Sequence, residues 1–396
     1  MTADQQAFFQ ILQDYLRGRP TTFSEEPNWN TLCVWADIHK LGGIFYAQCA
    51  GELQDASVQR KLSKAFGAAI SHGVNLQADY SALRSALSEH QIPFVPIKGI
   101  VIAPHYPDPE LRTMGDIDLL IRQEDREIIR QALTDRGFTN TKWSEKECDY
   151  KKGTSLFELQ TILMKADEPL AETVNQYFND FWPHVIFDAD ETPVMEPNFH
   201  FLYLVGHIAK HLRWVGIGFR QFYDLAIMME RSGICYDWAA IHRSAEQIGF
   251  DRFLEYALAM VERWFGTPSP YGAECLDEDL FETITEKIFA DGVFGFNNEK
   301  NDIHDLENTA RASRLPLPLL KLKTAGKLAF PPYRDLITSS KYAYLRGRPY
   351  LLPVAWVRRA IQGKGSVNSQ RIGTSLRAKK SDIHARQNLL KELGLQ

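Results

Sequence analysis

The chain has 396 residues, 44% of them hydrophobic and 24% charged, so it can bury a large core and is expected to form more than one lobe. No apolar run is long enough to cross a bilayer, and the N-terminus MTADQQAFFQ lacks the basic-then-apolar order of a secretory signal; no membrane partner is expected, and the expected location is the cytoplasm. The five cysteines, Cys33, Cys49, Cys148, Cys235 and Cys275, are odd in number and scattered without a C-x-x-C pair, so they read as reduced thiols rather than a disulfide framework or a zinc site.

Helical periodicity over Gln5 to Leu16, Thr31 to Leu41 and a long amphipathic stretch from Val58 to His90 predicts an N-terminal helical lobe, residues 1–91. Ile92 to Ile97 then reads as a short apolar strand, Lys98-Gly99 as a tight turn, and Gly99 to Tyr106 as a short helical stretch that Pro104 ends or kinks. A glycine turn opening a helix presents free backbone N–H groups to an anion, and the lysine beside it adds a point charge. After a polar loop, Pro107 to Gly115, comes the run DIDLLI. Residues two apart on a strand share a face, so Asp116 and Asp118 project together while Ile117, Leu119 and Ile121 bury the other side. Such a pair suits Mg²⁺, which takes one or two protein carboxylates and leaves its other positions to water and phosphate oxygens.

A helix is predicted over Glu124 to Arg136 and a strand over Phe138 to Thr141, within a strand-rich core of residues 92–168. Ser155 to Leu163 reads as a further strand on which Glu158 is an acid among apolar residues. A buried carboxylate is costly without a cation beside it, which favours a cation near Glu158. Glu147 and Asp149 compete for that place, and Glu158 could instead cap an exposed edge or pair with Lys151.

This order of elements resembles the nucleotidyltransferase superfamily with the DNA polymerase β-like fold, whose signature is a glycine-containing turn, a helix and D-x-D on the next strand. The closer likeness is to a bacterial branch labelled uncharacterised nucleotidyltransferase, which carries K-G, a Tyr and R-x-x-x-D-I-D-L-L, here Lys98, Gly99, Tyr106, Arg112, Asp116 and Asp118. Three features depart from the pattern: Lys98-Gly99 replaces the superfamily's Gly-Gly or Gly-Ser turn, Pro104 sits inside the short helix, and Gln160 replaces the His of the branch's E-L-H. The resemblance implies an α+β fold in which a minimal nucleotidyltransferase core, a mixed sheet with flanking helices, sits between helical lobes. It implies transfer of NMP from an NTP to an acceptor hydroxyl, with release of pyrophosphate. Asp116, Asp118 and Glu158 would hold two Mg²⁺ ions, with Mn²⁺ as the alternative. Lys98 and the Gly99 amide would bind phosphates, and Arg112 would offset charge on the α-phosphate or the leaving pyrophosphate. Two other readings stay open: an inactive NTP-binding or interaction protein, and a toxin or defence enzyme acting on RNA. The acceptor, whether small molecule, protein or tRNA, is not specified.

Helical patterns return in residues 169–309, over Asn198 to Leu212, Arg220 to Arg231, Asp237 to Ile248 and Arg252 to Phe265. His207 and His211 lie four apart without a third ligand in view and read as helix histidines rather than a zinc site. Arg220 and Asp224 have the spacing of a helical ion pair. The similar branch carries both spacings, which implies that His211, Arg220 and Asp224 touch the nucleotide or the acceptor. Residues 310–396 hold 18 lysines and arginines against three acids, a formal +15, leaving 27 bases against 47 acids elsewhere, a formal −20. Nucleic acid is one candidate partner for that segment. The branch shares an L-L-P-V-A-W element, so Leu351 to Trp356 is expected to act as a strap over the helical lobe, with a flexible stretch from Gly363 to Lys380.

Overall fold

The apolar runs that flank Lys98 and Asp118 pair side by side in a five-stranded sheet. The computed structural model describes residues 1–164, 170–292 without 190 and 215, 306, 315–337, 340–362, 372–373, 376–377 and 379–395. Its strands are β1 (Phe94–Ile97), β2 (Ile117–Ile121), β3 (Thr139–Trp143), β4 (Glu147–Lys152) and β5 (Ser155–Gln160), in the order β1-β2-β5-β4-β3. β2 runs antiparallel to β1 and parallel to β5, and β4 is antiparallel to both β5 and β3. The fold is α+β, with a mixed sheet.

Strand alternation gives the sheet two different faces. On one, Ile117, Leu119, Ile121, Phe157 and Leu159 pack against Ile129 and Leu133 of helix α6 (Arg126–Asp135). The other carries the carboxylates, and there Val95, Ile97 and Leu120 belong to the large helical core. A long helix numbered α4 (Ala56–Glu89) starts at Asp55, whose side chain accepts from the Ser57 and Val58 amides. Its first half, with Val58, Leu62 and Ala69, enters the helical core; its second half, with Leu76, Tyr80, Leu83 and Leu87, lies under the sheet.

Helices α1 (Ala3–Arg17), α2 (Trp29–Ile38) and α3 (Gly42–Cys49) share one core with α7 (Glu172–Asn179), α8 (Pro197–Trp214), α9 (Phe219–Arg231), α10 (Trp238–Gln247), α11 (Asp251–Phe265) and α12 (Glu278–Asp291). Phe8 and Phe9 of α1 meet Phe219 of α9 at ring-centroid distances of 5.6 and 4.9 Å. Helices from before and after the sheet therefore pack as one body. The expected segment boundaries at 168–169 and 309–310 fall outside the described residues.

Local boundaries shift from expectation. The helix expected over Thr31 to Leu41 is α2, which ends at Ile38, and α3 follows it from Gly42. The stretch from Gly99 to Tyr106 is one turn of α-helix, α5 (Gly99–Ile102), followed by a 3-10 turn, Ala103–His105, which starts where Pro104 withholds its N–H. A hairpin, β6 (Val185–Phe187) with β7 (Pro193–Met195), interrupts the span read as helical.

Leu351, Leu352, Ala355 and Trp356 cluster with Leu336, Tyr342 and Leu345, and Trp356 Nε1 donates to the Pro331 carbonyl at 3.0 Å. The element expected to strap the helical lobe thus packs on its near neighbours in sequence, where loop closure costs less. Contact with the helical lobe falls to the end of the helix Lys380–Glu392: Leu390, Leu393 and Leu395 enter the large core, and Arg213 donates to the Leu395 carbonyl. The stretch Gly363 to Lys380 lies largely outside the described residues. All five cysteines are free, and no described helix is long and apolar enough to cross a membrane.

Candidate active site

The register of the sheet places the acids. Ile97 pairs with Asp118, Asp118 with Glu158, Glu158 with Asp149, and Asp149 with Lys142. Cross-strand partners share a face, so Asp118, Glu158 and Asp149 form one row over three strands, with Glu147 two residues from Asp149 on the same side. Asp116 immediately precedes β2. With Asp118 it lines a narrow cleft of about 90 Å³, together with Lys98, Gly99, Arg112, His207, Arg220 and Asp224.

Packing these acids together has an electrostatic cost that their neighbours partly offset. Lys98 Nζ donates to Asp118 Oδ1 at 2.7 Å, and Gln160 Nε2 donates to the same oxygen at 2.6 Å and to Glu158 Oε2 at 3.2 Å. Lys142 Nζ donates to Glu147 Oε2 at 2.7 Å. Glu147, Asp149 and Glu158 each bring one oxygen within 4.8 Å of the others, and Asp149 Oδ1 is buried without a partner. Burial, then the Asp118 charge, pushes Glu158 up to about 7. Burial, then Glu147, pushes Asp149 up to about 7, and burial with Asp118 raises Asp116. A hard divalent cation, which prefers oxygen ligands, fits this donor set.

The raised values have a definite sign in stability. Between the ordinary carboxylate range and pH 7 the folded protein binds more protons at Glu158 and Asp149 than the unfolded chain does, so the contribution of these two acids to stability falls as pH rises through that window. The buried neutral histidines His39, His200, His207 and His211 act in the opposite sense, so the acids are read by difference: the metal-free variant Glu158→Gln, Asp149→Asn is expected to gain melting temperature relative to the parent protein from about pH 5 to about pH 7. Added Mg²⁺ or Mn²⁺ should raise melting more at pH 8 than at pH 5, because protonation competes with the cation. A difference between the two proteins that stays flat across that window would count against the buried acid row.

The lysine-glycine turn is built by close approach. Lys98 has φ 58°, an uncommon conformation for a residue with a Cβ, and its N–H donates to His200 Nε2 at 3.3 Å. Burial lowers the pKa of the Lys98 ammonium, but the Asp118 charge outweighs it and carries the value above that of an ordinary lysine. Any side chain at Gly99 would run into the Arg112 guanidinium and lie 2.9 Å from Met114 Sδ. Glycine is required there for space, whereas the left-handed backbone falls one residue earlier.

The second helical block closes the cleft. Asp224 accepts from Arg112 Nε at 3.2 Å and Nη2 at 2.7 Å, and from the Tyr106 hydroxyl at 2.7 Å, all of it buried. The helical pair expected between Arg220 and Asp224 does not form among the described residues, because the start of α9 faces the loop 111–115 and finds its partners there. Arg220 donates from Nη1 to the Thr113 carbonyl and, at 3.0 Å, to Thr113 Oγ1. Its Nε is buried without a partner, and burial together with Arg112 lowers its pKa to about 10. His207 and His211 face each other, Nε2 to Nε2 at 3.0 Å. Burial holds both well below the usual histidine value, hence neutral. His207 lines the cleft and His211 stands behind it; neither belongs to a metal-ligand group among the described residues.

Gln160 and His207 were not singled out from sequence as site residues. The two-residue step from Glu158 is the signal for the first, and the four-residue step from His211 for the second. A larger apolar pocket of about 460 Å³, between α4 and the segment 100–114, shares Arg112 with the cleft but none of the carboxylates.

A mixed sheet here sets acids in a row beside a lysine-glycine turn. Residues 25–266 match the family described as uncharacterised nucleotidyltransferase, and the chain belongs to that family. Membership supports nucleotidyl transfer as its general role. No curated protein matches the chain, and no solved structure does.

Proposed function

We propose that this protein is a divalent-metal-dependent enzyme that transfers NMP from an NTP to an acceptor hydroxyl and releases pyrophosphate. The observation that carries the reading is the register that pairs Asp118, which lines the cleft with Asp116, with Glu158 on the neighbouring strand, where Glu158 groups with Glu147 and Asp149. Asp116, Asp118 and Glu158 would hold the ions, Mg²⁺ or Mn²⁺. When bound, these neutralise the triphosphate and lower the pKa of the acceptor hydroxyl. Glu158, whose pKa burial and the neighbouring acids raise in the absence of a cation, would bind the ion as a carboxylate and give up its proton on doing so. Gly99 lets the backbone approach the phosphates, and Arg220, which lines the cleft, would add positive charge beside them. Arg112, held on two sides by Asp224, keeps the turn in place and adds positive charge to the cleft wall. Asp224 fixes that guanidinium, while His211 orients His207 toward the nucleotide.

The Lys98–Asp118 ion pair also supports a second reading, an NTP-binding protein without transfer, because the lysine already neutralises one ligand. In the enzyme, Lys98 leaves Asp118 for a phosphate when the nucleotide arrives. Lys98→Met should therefore tighten binding of the free metal ion and weaken binding of the NTP, each by about tenfold, in calorimetric titrations. Weakening of both would leave Lys98 a structural counter-ion. Incubating the protein with each labelled NTP, Mg²⁺ and a cell lysate tests transfer itself: labelled acceptor with pyrophosphate is expected. Mg²⁺-independent NTP binding unaffected by Asp118→Asn would sink the proposal.

A further inference from the structure

The basic segment beyond residue 310 carries apolar surface that nothing in the described structure covers. Nine of the fifteen exposed large hydrophobic residues lie there. Tyr350, Val354, Val357 and Ile361 are 72%, 56%, 60% and 72% exposed and recur at steps of four, three and four residues, one stripe along the helix Leu352–Gln362 and the turn that opens it. Arg358 is exposed beside them. The opposite side of this helix is already used, since Ala355 is buried in the local cluster. A second helix, Leu317–Ala329, repeats the arrangement: Leu320 packs inward on Ile383, while Leu319, Leu322 and Phe330 face outward near Lys323 and Lys327.

We propose that this segment docks the protein on an anionic bilayer surface. A helix lying in the interface needs no spanning length; it needs an apolar stripe that enters the headgroup boundary and cations that meet the lipid phosphates. Each lysine or arginine adds attraction to an anionic leaflet, and the segment's formal +15 supplies it. Five of the seven outward residues are aliphatic. Aliphatic side chains offer little to nucleic acid, whose bases stack on rings, but they gain by leaving water for acyl chains. A second copy of the chain would bring the same positive segment against this one, and like charges repel.

Sedimentation of the full chain with vesicles tests the idea, using phosphatidylcholine alone and an equimolar mixture with phosphatidylglycerol. Binding is expected to the mixed vesicles only and to weaken as salt rises. The double variant Val357→Asp, Ile361→Asp should weaken it by about tenfold or more while leaving the melting temperature unchanged, because both residues are exposed. Leu322→Asp should act in the same direction from the other helix. Failure to sediment with mixed vesicles would overturn the proposal. Salt-sensitive tRNA binding that ignores these variants, without vesicle binding, would give the segment to nucleic acid; a dimer abolished by them would give it to a second copy.

Discussion

Asp116→Asn is expected to lower nucleotidyl transfer by about 10³-fold or more, equivalent to about 4 kcal/mol of transition-state stabilisation, without lowering the melting temperature of the metal-free protein. The two effects separate because Asp116 has opposite consequences in the two states. Without a cation it is a half-buried carboxylate whose charge is disfavoured by burial and by Asp118, so removing the charge relieves strain. With cation and nucleotide present it is a ligand that an amide replaces poorly. Transfer assays, calorimetric metal titration and thermal unfolding of the same variant measure all three quantities. A variant that loses stability in proportion to activity would show Asp116 to be a structural residue and remove it from the site.

Asp224→Ala should cost about 3–5 kcal/mol of stability, the range for breaking a buried ion pair and leaving one charge behind. The Arg112 guanidinium would lose both hydrogen bonds to the carboxylate, and the Tyr106 hydroxyl would lose its acceptor. Removing both charges with Arg112→Met and Asp224→Leu should cost less than the sum of the single changes, since neither partner is then stranded. Urea unfolding of the four proteins gives the coupling. A single-variant loss below about 1 kcal/mol, typical of an exposed pair, would contradict the buried geometry.

The site was legible where chemistry and periodicity coincide in a short stretch. Asp116 and Asp118 sit two apart before an apolar run, and Glu158 is an acid on an apolar strand, so pattern singles out all three; joining Glu158 to the aspartates took the family resemblance, and the strand register supplies the pairing. Partnerships across the fold were not legible. Arg220 and Asp224 satisfy the helical spacing, yet a bidentate bond from Arg112, 112 residues away, takes the carboxylate instead. Strand β4, with Glu147 and Asp149 on the site face and Cys148 and Tyr150 on the buried one, reads as a polar segment until its neighbours are known. The strap was expected in the tail's most apolar element, but that element had nearer partners, and a helix with less marked patterning reaches the lobe.

Helix α4, 34 residues and about 51 Å long, has a consequence for how the molecule can be divided. It behaves as a common beam: one end is nailed into the helical body, the other carries the underside of the sheet. The segment 92–168, which looks self-sufficient in sequence, has only part of its floor in α6; cut free, it would lose the cover that Leu76, Tyr80, Leu83 and Leu87 add beneath Ile117, Leu119, Phe157 and Leu159. Loosening either end of the beam reaches the other, so the acid row and the distant aromatic core hold or fail together.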